Sequence, residues 1–233
     1  MLRWQPENLW HLLFMRYLAC ETASYKGALP NPKCKSPRMP PCSSRALTIW
    51  LTGLPSSGKS TLGSILVEKL QLKGEAVELL DGDVIRAQSP KKLGFSREDR
   101  EKNLRHIASL ADSLTRNGVT AVVASICPFR DLRNEFRDHL SPFLEVFVNA
   151  PVPVCEQRDV KGLYRRYRAG ELKGLTGIDD IYEAPLMPDV ECRTDLETVD
   201  ESIGKILDAM SLIGTTDKTD QMANHQVQFN DTP

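Results

Sequence analysis

Between Ala46 and Lys73 the sequence passes from a short apolar run, through Gly53-Leu54-Pro55-Ser56-Ser57-Gly58-Lys59-Ser60, into a stretch with apolar residues at helical spacing. The octapeptide fits G-x-x-x-x-G-K-[ST] without a mismatch. It also lies where that pattern has a mechanism, after a buried strand and at the start of a helix. Ala46–Thr52 has the length and apolarity of the strand. Leu62, Ile65, Leu66, Lys69 and Leu70 give Thr61–Lys73 its stripe, and Gly74 stops it. Glycines let the backbone wrap closely, so that amide N–H groups and the helix N-terminus surround phosphate oxygens. Lys59 would reach the β- and γ-phosphates of a nucleoside triphosphate, and the Ser60 hydroxyl would ligate Mg2+. The competing reading is an ordinary Ser/Gly turn, and it explains neither the lysine nor the position.

The alternation continues to residue 212. Strands are expected at Ala76–Leu80, Val119–Ser125, Phe143–Asn149 and Val190–Cys192. Helices are expected at Ser96–Asn117, at about Asp131–Leu140, from Val152 to Arg158, and at Val199–Leu212. Ser96 with Asp99 reads as a capping box, and Leu104, Ile107, Ala108, Ala111 and Leu114 form the stripe of the long helix. Val119–Ser125 reads as a strand buried on both faces. Together these predict an α/β, P-loop NTPase-type three-layer fold: a mostly parallel sheet of about five strands with helices on both faces. Residues 159–185, rich in Gly, Arg and Lys, predict a loop-dominated lid.

Composition closes off other classes. The chain has 233 residues, 41% of them apolar and 26% charged, which permits a sizeable core. A net charge of −1 supplies no field for nucleic acid or an anionic membrane. No run reaches the ~18 apolar residues of a membrane span. The six cysteines are widely spaced without a CxxC pair, and read as reduced thiols of an intracellular protein.

The ends differ from the middle. Residues 1–45 hold six of the fifteen prolines and seven Lys/Arg against two acids, Glu7 and Glu21. The run from Pro30 to Pro41 excludes a helix or a central strand. This extension reads as a disordered arm on a cytoplasmic protein; the alternative is a transit peptide and a plastid location. Residues 214–233 are polar, lack periodicity and read as a disordered tail, which leaves 46–213 as the folded domain.

The acceptor for the phosphoryl group has to come from the next elements. Leu80-Asp81-Gly82-Asp83-Val84-Ile85-Arg86 places two acids about a glycine at the carboxyl end of a strand, where ligands bind in parallel sheets. One acid could enter the Mg2+ shell and the other accept a proton from an acceptor hydroxyl; an Asp-Gly turn with solvated carboxylates is the plain alternative. Arg86 suits an anionic substrate. Arg100 and Asn103 are three apart on one helix face, near its N-terminal end, where an anion is favoured. Phe95 offers a platform for a base.

This set resembles the adenylyl-sulfate kinase family from about Ile49 to Asp189. The resemblance rests on Gly53–Ser60, Leu80–Arg86, Leu93–Arg100 with Asn103, Ile126-Cys127-Pro128-Phe129-Arg130, Arg158–Tyr164 and Lys173–Asp180. It implies transfer of the γ-phosphoryl group of ATP, with Mg2+, to the 3′-hydroxyl of adenylyl sulfate, and by analogy a homodimer. It further implies that Asp83 contacts that hydroxyl as base or orienting group, while Asp81 supports the metal with Ser60. Arg86, Arg100 and Asn103 would hold the phosphosulfate end and the ribose, and Phe95 would stack on the adenine. Backbone around Ile126 and Cys127 would line the pocket, with Lys173, Leu175 and Ile178 closing over it from the lid. ATP would lie on Gly53, Leu54, Pro55, Ser56, Ser57, Gly58, Lys59, Ser60 and Thr61, with help from Arg158.

Three departures from the family pattern stand out. Many members carry at position 127 a serine that has been assigned as a phosphorylated intermediate. Cys127 cannot form a phosphoserine, and direct in-line transfer needs none; a small pocket-lining residue is the reading favoured over a reactive thiol. Leu175 stands where many have Phe, and Ala87 and Pro90 where polar residues are common. The rival readings are another small-metabolite P-loop kinase, of gluconate or nucleotide type, and a catalytically weak NTP-binding regulator.

Overall fold

The computed structural model describes residues 46–88, 93–140 and 142–227, with side chains described as far as Ile213. The N-terminal extension, Pro90 and residues 228–233 lie outside the described residues.

Five strands form the sheet: β1 (Thr48–Thr52), β2 (Val77–Asp81), β3 (Thr120–Ala124), β4 (Phe143–Asn149) and β5 (Val190–Arg193). Their order is β2-β3-β1-β4-β5 and every pairing is parallel. The register sets Asp81 opposite Ala124, Thr52 opposite Phe147 and Asn149 opposite Arg193, so all five carboxyl ends share one edge.

Alternation along β1 sorts the layers. Ile49 and Leu51 join Val122, Ala124, Val146 and Val148 in one core with Leu62, Leu66 and Leu70 of α1 (Lys59–Leu72) and Ile203 and Ile206 of the last helix. Trp50 points to the other face and stacks on Phe136, with ring centroids 4.9 Å apart. That face is covered by α3 (Arg97–Arg116), which buries Leu104, Ile107, Ala108, Ala111 and Leu114, and by α4 (Arg130–His139), which buries Leu132 and Phe136. Ser96 caps α3 as expected, its hydroxyl accepting from Asp99 N at 3.2 Å. The Asp99 carboxylate, however, accepts from Gly94 N at 2.8 Å.

Three elements differ from the sequence reading. A short helix, α2 (Gly82–Gln88), follows β2 directly, because Asp81 Oδ1 caps it by accepting from Asp83 N at 2.9 Å and Val84 N at 3.4 Å. After α5 (Val152–Arg158), the lid holds its own helix, α6 (Leu163–Arg168), whose first amides donate to Asp159 at 3.0 and 3.1 Å. The closing helix, α7, is Val199–Val227 rather than Val199–Leu212, and so enters the segment expected to be a tail. Its packing on the core extends to Ile213.

Candidate active site

The phosphate loop leaves the end of β1 and is held from several sides. A Cβ on Gly53 would stand 2.3 Å from Val148 O, so only glycine lets the chain turn there beside β4. Gly58 caps α1 in the left-handed region, with φ 108. Lys59, 8% exposed, donates from Nζ to Gly53 O at 2.9 Å and Leu54 O at 2.6 Å. Burial lowers its pKa to about 8, opposed by the acids Asp83 and Asp81 and assisted by Lys161. From outside, Tyr164 donates its hydroxyl to Pro55 O at 3.1 Å and Thr194 donates to Ser57 O at 2.7 Å. Arg158 reaches the same Ser57 carbonyl at 3.3 Å and Thr194 O at 2.6 Å.

Ser60 begins α1 beside the end of β2, and its hydroxyl donates to Asp81 Oδ2 at 2.8 Å. The two residues expected at the metal are thus brought together across 21 positions of sequence. One hydroxyl and one carboxylate fit Mg2+, which takes oxygen ligands, keeps several waters and completes its shell with substrate phosphates. Among the described residues no three His, Cys, Asp or Glu side chains gather as a tighter metal cage.

The acceptor side begins one residue further. Asp83 accepts from Lys161 of the lid in a salt bridge. Burial lowers the Lys161 pKa, but the Asp83 hydrogen bond and the charges of Asp83 and Asp81 outweigh it and raise the pKa. Arg86 donates to Gly94 O at 2.7 Å. The guanidinium carbons of Arg86 and Arg100 stand 5.2 and 5.7 Å from the Phe95 ring centroid. Burial, and then the like charge of Arg100, lowers the Arg86 pKa. Arg100 donates to Phe95 O at 2.9 Å, Thr176 Oγ1 at 2.8 Å and Gly174 O at 2.9 Å, and pairs with Asp180 at 2.8 Å. Asn103 is buried on the same helix. A cleft of about 380 Å³ opens here, with Phe95, Arg100, Phe129, Gly174, Asp180 and Ile181 in its wall.

Ile126, Cys127, Lys173, Leu175 and Ile178 are not in the wall of that cleft, and neither are Asp83, Arg86 and Asn103. Ile126 accepts from Thr52 Oγ1 at 2.5 Å, and Cys127 is buried with φ +41; Phe129 is the member of that turn in the cleft wall. Burial pushes the Cys127 thiol far up, so it is a neutral thiol. Leu175 is buried with Ala150, Cys155 and Tyr164, and Ile178 and Leu54 pack on this cluster, so these lid residues bind the lid to the phosphate loop. Lys173 is exposed.

The sequence reading gave no role to Lys161, Tyr164, Thr176, Asp180 or Thr194. All but Thr194 fall in segments that carry the family resemblance, but a lid without periodicity does not reveal which of its residues point inward.

A glycine-lysine phosphate loop at the end of β1, with a cleft lined by arginine beside it and a lid bonded to both, defines the fold and site of a P-loop phosphotransferase for a small molecule. The chain belongs to the adenylyl-sulfate kinase family, whose model, described as adenylylsulphate kinase, matches residues 45–193. It is 56% identical over 170 residues to the adenylyl-sulfate kinase of Gloeothece citriformis, covering 73% of this chain and 97% of that one. It is 55% identical to that of Rippkaea orientalis, covering 73% of this chain and 94% of that one. Among solved structures it is similar to the Mycobacterium tuberculosis APS kinase in complex with AMPPNP and APS, with TM-score 0.68 and 38% identity, covering 72% of this chain and 99% of that one.

Proposed function

We propose that the chain is an adenylyl-sulfate kinase. It transfers the γ-phosphoryl group of MgATP to the 3′-hydroxyl of adenylyl sulfate and yields ADP and 3′-phosphoadenylyl sulfate. The observation that carries this reading is the Arg86–Phe95–Arg100 cluster next to Asp83: two guanidiniums at one exposed ring suit an acceptor with a base at one end and a compact dianion at the other.

In this reading the loop amides and Lys59 hold the β- and γ-phosphates, and Arg158 braces the loop through the Ser57 carbonyl. Ser60 and Asp81 would hold Mg2+, which would neutralise charge on the transferring group. Asp83 orients the 3′-hydroxyl and takes its proton as the oxygen attacks in line. Arg86, Arg100 and Asn103 anchor the phosphosulfate and ribose, and Phe95 stacks on the adenine. Catalysis is mainly positioning and charge neutralisation.

The test is turnover of the purified chain with MgATP, following ADP with adenylyl sulfate, gluconate and nucleoside monophosphates in parallel. Adenylyl sulfate alone should support rapid ADP formation. Preference for another acceptor would replace this reading with the metabolite-kinase one. ATP binding without turnover on any acceptor would favour a regulator.

A further inference from the structure

We propose that Arg133 is a positioning residue for the acceptor pocket. One buried guanidinium fixes two separate backbone segments that contribute to the cleft. The inference rests on the proposed reading of that cleft.

Arg133 lies on α4, outside every motif named above, and is 1% exposed. Each of its nitrogens is used. Nε donates to Glu145 Oε1 at 2.8 Å, Nη1 to Cys127 O at 2.6 Å and Nη2 to Glu183 O at 2.5 Å. Each carbonyl sits two residues from a residue in the cleft wall, Cys127 before Phe129 and Glu183 after Ile181. The contacts around this fork join the same two segments. Glu183 N donates to Pro128 O at 2.9 Å, and Arg130 N donates to Glu183 Oε2 at 2.6 Å. Cys127 adopts φ +41 without being glycine, and such a backbone persists where its surroundings hold it.

The charge of Arg133 has its own anchor. Glu145 is 6% exposed and also accepts from Arg137 at 3.1 Å. A counter-charge for Glu145 alone would need only one contact. The planar fork that reaches two carbonyls as well is a geometry a lysine cannot reproduce. Thr52 makes a second tie to the same turn, through the Ile126 carbonyl at 2.5 Å.

The experiment measures KM for adenylyl sulfate and KM for ATP in the full chain, with the unfolding midpoint of each protein. Arg133→Lys keeps the charge beside Glu145 and loses the fork. It should raise KM for adenylyl sulfate by roughly tenfold while KM for ATP stays within about twofold. Thr52→Val is nearly isosteric and should move the same constant in the same direction by about threefold. A folded Arg133→Lys protein with unchanged KM for adenylyl sulfate overturns the proposal, as does an equal rise in both constants. If Arg133→Lys does not fold, Thr52→Val decides by the same criterion. Failure of the parent protein to use adenylyl sulfate would instead overturn the functional reading beneath it.

Discussion

Lys161 of the lid donates to the carboxylate of Asp83, 78 residues earlier in the chain, and so joins the lid to the acceptor side of the site. That ion pair occupies the carboxylate proposed to meet the acceptor hydroxyl. On the proposed reading, the pair opens as the phosphates and acceptor enter, which leaves Lys161 beside the transferring group. Asp83→Asn keeps the shape but loses charge and basicity, and kcat should fall by roughly 10²–10⁴-fold. Lys161→Met should cost about 10–100-fold. Because the two act as one unit, a double-mutant cycle in kcat should show a combined loss well short of the product of the two. Strict multiplicativity would count against the pairing having a role.

The pH profile follows from Lys59. Its pKa, lowered to about 8 by burial, means that the cation is lost as pH rises through 8. The value of kcat/KM for ATP reports the free enzyme and should fall about tenfold per pH unit above that point. Phosphate charge favours the ammonium, so the alkaline limb of kcat should lie at higher pH. Stability moves the other way. Between about 8 and 10.5 the unfolded lysine binds a proton that the folded one does not, so this group's contribution to stability rises with pH in that window. Lys59→Ala should abolish turnover while the circular dichroism spectrum is kept.

Much of this was legible in the sequence. The loop, the two acids and the strand–helix alternation follow from local chemistry, because a buried parallel strand and an amphipathic helix each write their period into the chain. What escaped was set by tertiary contact. α2 forms because the Asp81 carboxylate caps it, and an Asp-Gly-Asp run reads equally well as a turn. That Leu175 also packs against Cys155 and Tyr164 is a contact between distant segments that its own neighbours in sequence do not display. Arg133 and Thr194 act on carbonyl oxygens, which carry no residue identity for a sequence to display.

Gly177 tests how closely the lid meets the phosphate loop. It has φ +87, and a Cβ there would stand 2.3 Å from Leu54 Cδ2. Gly177→Ala combines an unfavourable backbone with a contact that Leu54 must move to relieve. It should cost about 1–2 kcal/mol of stability and raise KM for ATP severalfold, because Leu54 belongs to the loop. Denaturant unfolding with and without ATP measures both. A stability equal to that of the parent would mean the lid does not close on Leu54 in solution.

A chain cut to residues 45–213 should fold and keep its activity. Every residue placed in the site lies within it, and among the described side chains packing on the core reaches Ile213. Its unfolding midpoint should fall within a few degrees of the full chain's. An insoluble or inactive product would show that the ends contribute to the domain.

The final prediction separates direct transfer from a covalent route through Cys127. That thiol is 1% exposed, and burial holds it protonated well above any working pH. A neutral, enclosed thiol is a poor nucleophile. Its carbonyl, the group that ties the turn to Arg133, is unchanged by substitution at the side chain. Cys127→Ala should therefore keep kcat within about threefold, with a stability cost of roughly 1 kcal/mol for lost volume. Cys127→Ser restores the residue common at this position in the family and should also stay within about threefold, since it buries a hydroxyl in place of a thiol. The parent protein incubated with γ-labelled ATP should accumulate no phosphoenzyme stable to acid quench. Run beside Asp83→Asn under saturating MgATP and adenylyl sulfate, the contrast is decisive: a large loss at Cys127→Ala with near-normal turnover at Asp83→Asn would move the chemistry from the carboxylate to the thiol.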